Sequence, residues 1–302
     1  MQDEPMAMTH AAEGLDAPDI GVNRFAQIAS LPVRQPILAL SCVLLLAFGV
    51  TAVVSPWITA DPAALDPLNR LQPPSPAEPF GTDQVGRSVF ARALVGTRVS
   101  LSVGIAVAVL TTLIGVCIGV IAGYFRSVDK IVMRAMDAVM AIPAILLAIA
   151  LVALIGASPI VIVTAISLPE IPRMARVVRA SVLSLRERVY VEAAITCGGR
   201  PVTILHRHIL PGAAGPIMVQ STYVFASAMI LESILSFLGA GTPPDVPSWG
   251  NMMSEGRQFV QIAPWILGFP ALMLAMTVLA ANLLGDALRD LLDPSFAGGE
   301  MR

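Results

Sequence analysis

The sequence is poor in charged residues, and its only lysine is Lys130. Charged residues make up 13% of the 302 positions, whereas hydrophobic residues make up 56% and the mean hydropathy is +0.76. Soluble globular domains carry about 25% charged residues. The composition therefore predicts an integral membrane protein. The formal net charge of −2 leaves no basic field that would indicate a nucleic-acid partner.

The scarcity of lysine also bears on nucleotide binding. A P-loop has the pattern G-x-x-x-x-G-K-[ST], and its lysine contacts the phosphates. Lys130 instead follows Arg126-Ser127-Val128-Asp129, with no glycine directly before it. The sequence therefore lacks this motif, and any ATP that serves the protein must be bound by another subunit.

Cysteine and histidine are sparse as well. Cys42 and Cys117 fall inside apolar stretches and Cys197 in a polar one, so we predict small core side chains rather than a disulfide framework. Residues 206–208 read His-Arg-His, and a metal site would need more ligands and no adjacent guanidinium group. We therefore expect surface histidines and no metal site.

Six apolar stretches are long enough, or nearly so, to cross a bilayer core of about 30 Å. They are residues 36–57, 99–124, 132–155, 158–182, 213–237 and 264–286. The fourth is the weakest, because Glu170 and three arginines follow Pro169. Its prolines predict kinks, and we expect this helix to leave the bilayer early and continue into the cytosol.

The distribution of basic residues predicts the orientation. If both termini lie inside the cell, the inner segments hold 14 of the 19 basic residues and the outer segments hold the other five. The opposite orientation would violate the positive-inside rule. Trp57, Trp249 and Trp265 then lie at or beyond the outer helix ends, where an aromatic belt is expected.

Residues 192–211 form a polar, basic segment between apolar stretches. They begin with small alanines and contain Gly198-Gly199, and we expect Leu210-Pro211-Gly212 to break the chain before the fifth stretch. Residues 192–196 should be helical, and Pro201 suits the first turn of a second helix. Two interpretations remain open: a docking surface for a soluble partner, or an amphipathic linker on the inner leaflet.

Three glycines recur at four-residue spacing in the second stretch: Gly115, Gly119 and Gly123. Such a stripe allows another helix backbone to approach closely in lipid. The contact could lie within the chain, or it could pack a second subunit.

Two carboxylates, Glu170 and Glu232, are the acidic residues nearest to membrane depth, and both are candidates for a translocation pathway. Glu170 precedes Arg173 by three residues, which also permits a structural ion pair. Glu232 has no charged neighbour in sequence, so it could face a central cavity or bond to a neighbouring helix.

Residues 192–211 resemble the cytoplasmic EAA loop of ABC importer membrane subunits. The matching positions are Glu192-Ala193-Ala194, Gly198 and Leu210-Pro211. His208 stands where the general pattern has isoleucine, and this is similar to the peptide-importer branch of the family.

Three further segments resemble the C-type subunits of dipeptide and oligopeptide permeases, so that the resemblance covers about residues 36–294. They are 80–83 with 86–87 and 96–101, then 232–239 with 247–250, and finally 282–286 with 288–290 and 293–294. Ser88 departs from the family pattern, which usually has an acidic residue there, and Glu170-Ile171 stands where a Ser-Trp pair is usual. These two departures weaken what can be inferred about the substrate.

The resemblance implies an all-α polytopic membrane protein with six transmembrane helices, the type I ABC importer permease fold and both termini in the cytoplasm. It divides the chain into a cytoplasmic tail (1–35), a first transmembrane helix with an outer segment (36–97), a transmembrane core (98–286) and a second cytoplasmic tail (287–302). Within the core, residues 186–211 form the coupling loop. The residues assigned to ATPase coupling are Glu192, Ala193, Ala194, Gly198, Gly199, Leu210 and Pro211.

The resemblance further implies a non-catalytic permease subunit of the bacterial cytoplasmic membrane that carries dipeptides or oligopeptides. Its partners would be a second homologous permease subunit, one or two ATPase subunits that bind ATP and Mg²⁺, an extracytoplasmic peptide-binding protein and membrane lipid. The cargo could instead be nickel, glutathione or another small solute. A membrane scaffold without transport remains an alternative from another class. An ion-coupled transporter is disfavoured because the sequence shows no convincing internal repeat.

Overall fold

The computed structural model describes residues 36–59, 61–243 and 246–292, and these residues form helices without a single β-strand among them. The tail predicted at 1–35 lies outside the described residues, as do Asp245 and the terminal Asp293-Pro294. Ten α-helices are present in this part of the chain. They are α1 (Pro36–Ile58), α2 (Val89–Tyr124), α3 (Arg126–Met140), α4 (Ala144–Ile155), α5 (Pro159–Arg186), α6 (Val189–Thr196), α7 (Pro201–Ile204), α8 (Leu210–Phe237), α9 (Trp249–Gly256) and α10 (Trp265–Leu292).

Four helical segments are long and apolar enough to cross a membrane: α1, α2, the continuous segment Pro201–Phe237, and α10. The pair α3 and α4 would supply a fifth span if the two helices cross together. The structure therefore shows a multi-pass helical protein with four or five apolar spans, while the count of six remains a prediction.

The third predicted span is not one straight helix. It divides into α3 and α4, which meet at an angle of 83°. Pro143 caps the start of α4, and a residue that precedes proline avoids the helical region, so the helix ends just before it. The apolar stretch predicted at 132–155 is therefore divided between two helices, because Pro143 interrupts it.

The fourth predicted span, α5, remains one helix through Pro169 and Pro172 and continues to Arg186. It does not reach the apolarity of the four spans above. Its C-terminal half is tied to α3, because Arg179 Nη2 donates to Asp129 Oδ2 at 2.6 Å and Arg176 pairs with Asp137. Arg186 also donates to the Tyr124 carbonyl oxygen at 3.0 Å. These contacts fix the end of α5 that leads into the coupling loop.

The core of the fold is the long crossing of α2 and α5, against which α8 also packs. All three stripe glycines are buried at this crossing. A Cβ atom on Gly119 would lie 2.6 Å from the Ala175 carbonyl oxygen and 2.7 Å from Val178 Cβ. The Gly115 and Gly123 positions likewise face α5. The stripe therefore serves a contact within the chain and is not available to pack a second subunit.

The glycine crossing gives a prediction about stability. Gly119→Ala should destabilise the subunit by about 1–3 kcal/mol, because the new methyl group overpacks against a backbone oxygen. Gly49→Ala, on α1, is the matched control, since nothing lies within 4 Å of its Cβ position. That control should be neutral or stabilising by roughly 0.5–1 kcal/mol, the helical preference of alanine over glycine. Thermal denaturation in detergent measures both, and equal midpoints would contradict the close crossing.

Two sequence-based assignments of buried and exposed residues need correction. All three cysteines are exposed, so they are not the small core residues that we predicted. Among the tryptophans expected in an aromatic belt, Trp57 is 77% exposed, whereas Trp249 is fully buried. Its indole Nε1 donates to the Ala93 carbonyl oxygen at 3.0 Å, and its ring meets Phe48 edge-on. Trp249 is therefore a core residue that α9 inserts between α1 and α2.

Candidate functional site

The coupling loop begins with a short helix that ends in a tight glycine cap. Helix α6 contains Glu192 and the two alanines, as predicted. The Gly198 N–H donates to the Ile195 carbonyl oxygen at 2.9 Å, and the Gly199 N–H donates to the Ala194 oxygen at 3.0 Å. Gly198 has a φ of +80°, the left-handed conformation that glycine adopts without penalty. This pair of hydrogen bonds is a Schellman cap, and it fixes the direction in which the chain leaves α6.

The loop presents small and apolar side chains to its surroundings. Glu192, Ala193 and Gly198 are exposed, and Ala194 is half-buried. Val189 and Val202 are 82% and 77% exposed, and they lie on the first and second short helices. Buried side chains hold the opposite face of the loop to the transmembrane body: Val191, Ile204 and Ile209. The loop thus exposes an apolar patch, which indicates an interaction surface.

The second short helix is continuous with the fifth predicted span. Helix α7 begins at Pro201, as predicted, and a π-helical segment, Leu205–Ile209, joins it to α8. The Leu210 N–H donates to the Leu205 carbonyl oxygen, five residues back. Pro211 has no N–H to donate, and the wider π turn before it accommodates this loss. The break predicted at Leu210-Pro211-Gly212 was therefore wrong.

We call this continuous helical segment the rod. Residues Pro201–Phe237 comprise 37 residues, which corresponds to about 55 Å at the helical rise. Leu210 is half-buried and Pro211 is exposed within it. One end belongs to the coupling loop and the other carries the Glu232 cluster, so a single helical segment connects the two.

Glu170 forms the structural ion pair that its spacing permits. Its Oε1 accepts from Arg173 Nη1 at 2.8 Å and from Ser227 Oγ of α8 at 3.0 Å. The Glu170 side chain is 2% exposed, whereas that of Arg173 is 49% exposed. The group that this site presents to its surroundings is therefore the guanidinium of Arg173, with the carboxylate behind it.

Glu232 is fully buried in a cluster of hydroxyl groups. Ser236 Oγ donates to Glu232 Oε1 at 2.8 Å, and the hydroxyls of Ser100 and Ser248 lie beside the carboxyl group. Ser100 belongs to α2 and Ser248 caps α9, so Glu232 lies where three helices meet. Of its two predicted environments, the neighbouring-helix contact is the one present in this conformation.

An ion network at the start of α2 was not found from the sequence. Asp83 Oδ2 accepts from Arg87 Nε at 2.6 Å and from Arg92 Nη1 at 2.7 Å. Arg92 also binds both oxygens of Glu255, which lies on α9. Asp83 and Arg87 stand in a segment that carries the resemblance, but no sequence pattern links them to Glu255 across 168 residues. The network fastens α9 to the start of α2.

The network predicts a pH dependence of stability. Burial alone raises the pKa of Glu255, but the hydrogen bonds and charges of Arg92 and Arg87 outweigh it, so the pKa lies below the ordinary 4.5. A carboxylate with a depressed pKa stabilises the fold above its unfolded pKa and loses that contribution as pH falls through the folded pKa. The thermal midpoint should therefore be insensitive to this group from pH 7 to about 5 and decline below about 4.5.

Glu255→Gln is the matched variant for this prediction. It removes the titrating carboxyl group and keeps the side-chain shape, so the difference from the unmodified protein should shrink as the pH falls below about 4.5. A difference that stays constant down to pH 3 would contradict the depressed pKa.

Ser88 shows how this chain replaces the acidic residue that the family pattern has at that position. Its hydroxyl caps the start of α2 by accepting from the Ala91 N–H, and it donates to Glu78 Oε2 at 2.5 Å. The carboxylate at this site thus comes from Glu78, ten residues earlier. The departure is local and leaves the start of α2 intact.

Comparisons with known proteins identify relatives that are membrane components of transport systems. The family described as binding-protein-dependent transport system inner membrane components matches residues 115–298. A probable peptide ABC transporter permease of Sinorhizobium fredii is 48% identical over 289 residues, which cover 96% of this chain and 98% of that protein. A dipeptide transport system permease of Alkalihalophilus pseudofirmus is 41% identical and covers 83% and 84% of the two chains. A glutathione transport system permease of Pectobacterium atrosepticum is 45% identical over 73% and 74%.

Proposed function

Since this chain belongs to the family of inner membrane components of binding-protein-dependent transport systems, we propose that it translocates dipeptides or oligopeptides. It is a multi-pass permease subunit of an ABC importer and not the catalytic one. The peptide cargo is supported by the names of relatives that align over nearly the whole chain. The observation that carries the coupling role is the exposed, glycine-capped loop fixed to one end of a membrane-spanning rod.

For the topology we propose six spans with both termini in the cytoplasm. The bent pair α3 and α4 would form the third span, and α5 the fourth. A span as polar as α5 is compatible with the bilayer when its charged face meets water or protein rather than lipid. The concentration of basic residues in the proposed inner segments supports this orientation.

For energy coupling we propose that the loop docks into a groove of an ATPase subunit that binds ATP and Mg²⁺. The small side chains of Ala193 and Ala194 would allow close approach, and Val189 and Val202 would provide apolar contact area. Closure of two ATPase subunits on ATP would move α6 and α7, and the rod Pro201–Phe237 would carry that movement to the outer side. A coupled switch of this kind requires the loop and the pathway to belong to one rigid unit.

For the pathway we propose a cavity between this subunit and a second homologous permease. An extracytoplasmic peptide-binding protein would deliver the peptide into this cavity. Glu170 would take part by holding the exposed Arg173 guanidinium at the cavity wall. Glu232 would reach the cavity only when α2, α8 and α9 separate, because it is buried between them.

Reconstitution tests the proposed function. The subunit, its permease partner and the ATPase subunits are placed in proteoliposomes, and the binding protein is added outside with a radiolabelled dipeptide. We expect ATP-dependent accumulation that requires all components. A membrane scaffold would give none, and equal rates with a poorly hydrolysable ATP analogue would contradict coupling.

The glutathione permease among the relatives makes glutathione a second candidate cargo. The same proteoliposomes distinguish the two, with each ligand supplied on its own binding protein at saturating concentration. Uptake of the dipeptide in preference to glutathione supports the proposal. Uptake of glutathione alone would change the cargo and leave the coupling assignment in place.

A further inference from the structure

A long cavity opens between α1 and the rest of the bundle. Its volume is about 830 Å³, within the range of sites that hold organic ligands. Along α1 its wall extends from Leu45 to Trp57, a length of about 18 Å at the helical rise. This length is close to the thickness of one leaflet of the hydrocarbon core, about 15 Å. Helices α2, α8 and α10 form the other walls.

The walls of this cavity offer almost no free hydrogen-bonding groups to a ligand. Their hydroxyl groups are already bonded to backbone oxygens of their own helices: Ser102 to Val99, Ser221 to Ile217 and Thr222 to Val219. The remaining lining is aliphatic or aromatic, apart from one arginine. A ligand with long hydrocarbon chains would therefore leave no polar group of the walls without a partner.

The exception is Arg98, near the outer end of α2. It is exposed and lines the cavity together with Trp57. Within the described part of the chain, none of the ion pairs includes Arg98. No acidic side chain is among the residues that line the cavity. The Arg98 guanidinium therefore has no counter-charge among the residues that line the cavity. A phosphate group would match the planar geometry of its donors.

We propose that this cavity binds an anionic phospholipid of the outer leaflet, with acyl chain along α1 and phosphate on Arg98. Trp57 would lie at headgroup level, where amphipathic rings are favoured. An anionic headgroup fits better than ethanolamine, because the cavity wall offers no carboxylate to an ammonium group. The lipid would fill the gap between α1 and α8, and so support the helix that carries the coupling movement.

Gly49 allows the hydrocarbon part of the site to be tested separately from the charge. It lines the cavity, and nothing lies within 4 Å of its Cβ position. Gly49→Phe should therefore place an aromatic ring in the path of the acyl chain without displacing the backbone. Gly268→Phe is the matched control, because Gly268 also has open space around it and does not line the cavity.

The experiment is native mass spectrometry of the purified transporter complex, loaded with phosphatidylglycerol or with phosphatidylethanolamine of the same acyl chains. We expect the unmodified protein and Gly268→Phe to retain one phosphatidylglycerol in preference to phosphatidylethanolamine. Arg98→Gln should lose about fivefold in phosphatidylglycerol retention, the contribution of one basic residue at a lipid surface, whereas Arg98→Lys should keep the preference. Gly49→Phe should lose both lipids.

Three results would overturn the proposal. Unchanged phosphatidylglycerol retention in Arg98→Gln would exclude the phosphate contact. Retention in Gly49→Phe equal to that in Gly268→Phe would exclude the acyl-chain site. If the unmodified protein retains no lipid and Gly49→Phe separates the two permease subunits, the cavity holds a helix of the second permease instead. None of these readouts depends on which cargo is transported.

Discussion

Gly198→Val should reduce ATP-driven uptake to background while the subunit still folds and inserts in the membrane. Gly198 has a φ of +80°, a conformation that is a genuine outlier for a β-branched residue. The strain is of order 1–2 kcal/mol, and it is relieved when the cap opens. The direction in which the chain leaves α6 would then change, and α7 would no longer lie where the ATPase subunit receives it.

Gly156→Val provides the control for backbone strain alone. Gly156 has a φ of +98° and, like Gly198, has nothing within 4 Å of its Cβ position. It lies in the turn between α4 and α5, on the opposite side of the membrane in the proposed topology. We expect it to retain most of its uptake. Normal uptake by Gly198→Val would contradict the coupling assignment. Equal loss of uptake in both variants would mean that backbone strain, rather than the position of the coupling loop, causes the loss.

Arg92→Met should produce the largest loss of stability, about 3–5 kcal/mol. Arg92 is 3% exposed and neutralises both Asp83 and Glu255. Its removal leaves the buried Asp83 and the partly exposed Glu255 with Arg87 as their remaining cation, and uncompensated buried charge is strongly destabilising. The outer segment and α9 should then detach from the start of α2 in an unfolding transition at lower denaturant concentration.

Two further variants separate lost charge pairing from lost packing. Arg70→Met is the exposed control in the same outer segment, where Arg70 makes one hydrogen bond to the Gln84 carbonyl oxygen. This variant should lower the free energy of unfolding only slightly. Adding Glu255→Gln to Arg92→Met removes one of the stranded carboxylates and should recover part of the stability. If the double variant is less stable than Arg92→Met alone, the charge argument is wrong.

The coupling loop could be predicted from sequence because its determinants are local. Alanines favour a helix over 192–196, Gly198 supplies the left-handed cap, and Pro201 begins the next helix. Each of these depends on neighbours within a few residues. The pairing of Glu170 with Arg173 followed from helical spacing for the same reason.

Other features depend on contacts between distant residues, and these were missed or wrong. Nothing near Glu255 indicates that it meets Arg92, and nothing near Trp249 indicates that α9 buries it against Phe48. The π-helical junction shows a second limit. Pro211 suggested a break, yet a local change in hydrogen-bond register accommodates its missing N–H and keeps the helix continuous.

The most direct test of the central claim is cross-linking of the coupling loop to the ATPase subunit. The exposed native cysteines are first replaced by serine, and Val202→Cys is introduced on α7. Leu68→Cys is the control, because it is 92% exposed on the outer segment. In the assembled complex we expect a short bifunctional maleimide to join Val202→Cys to the ATPase subunit, and Leu68→Cys to form no such product. If Val202→Cys stays as reactive toward a soluble maleimide in the transporting complex as in the isolated subunit, the loop does not dock there.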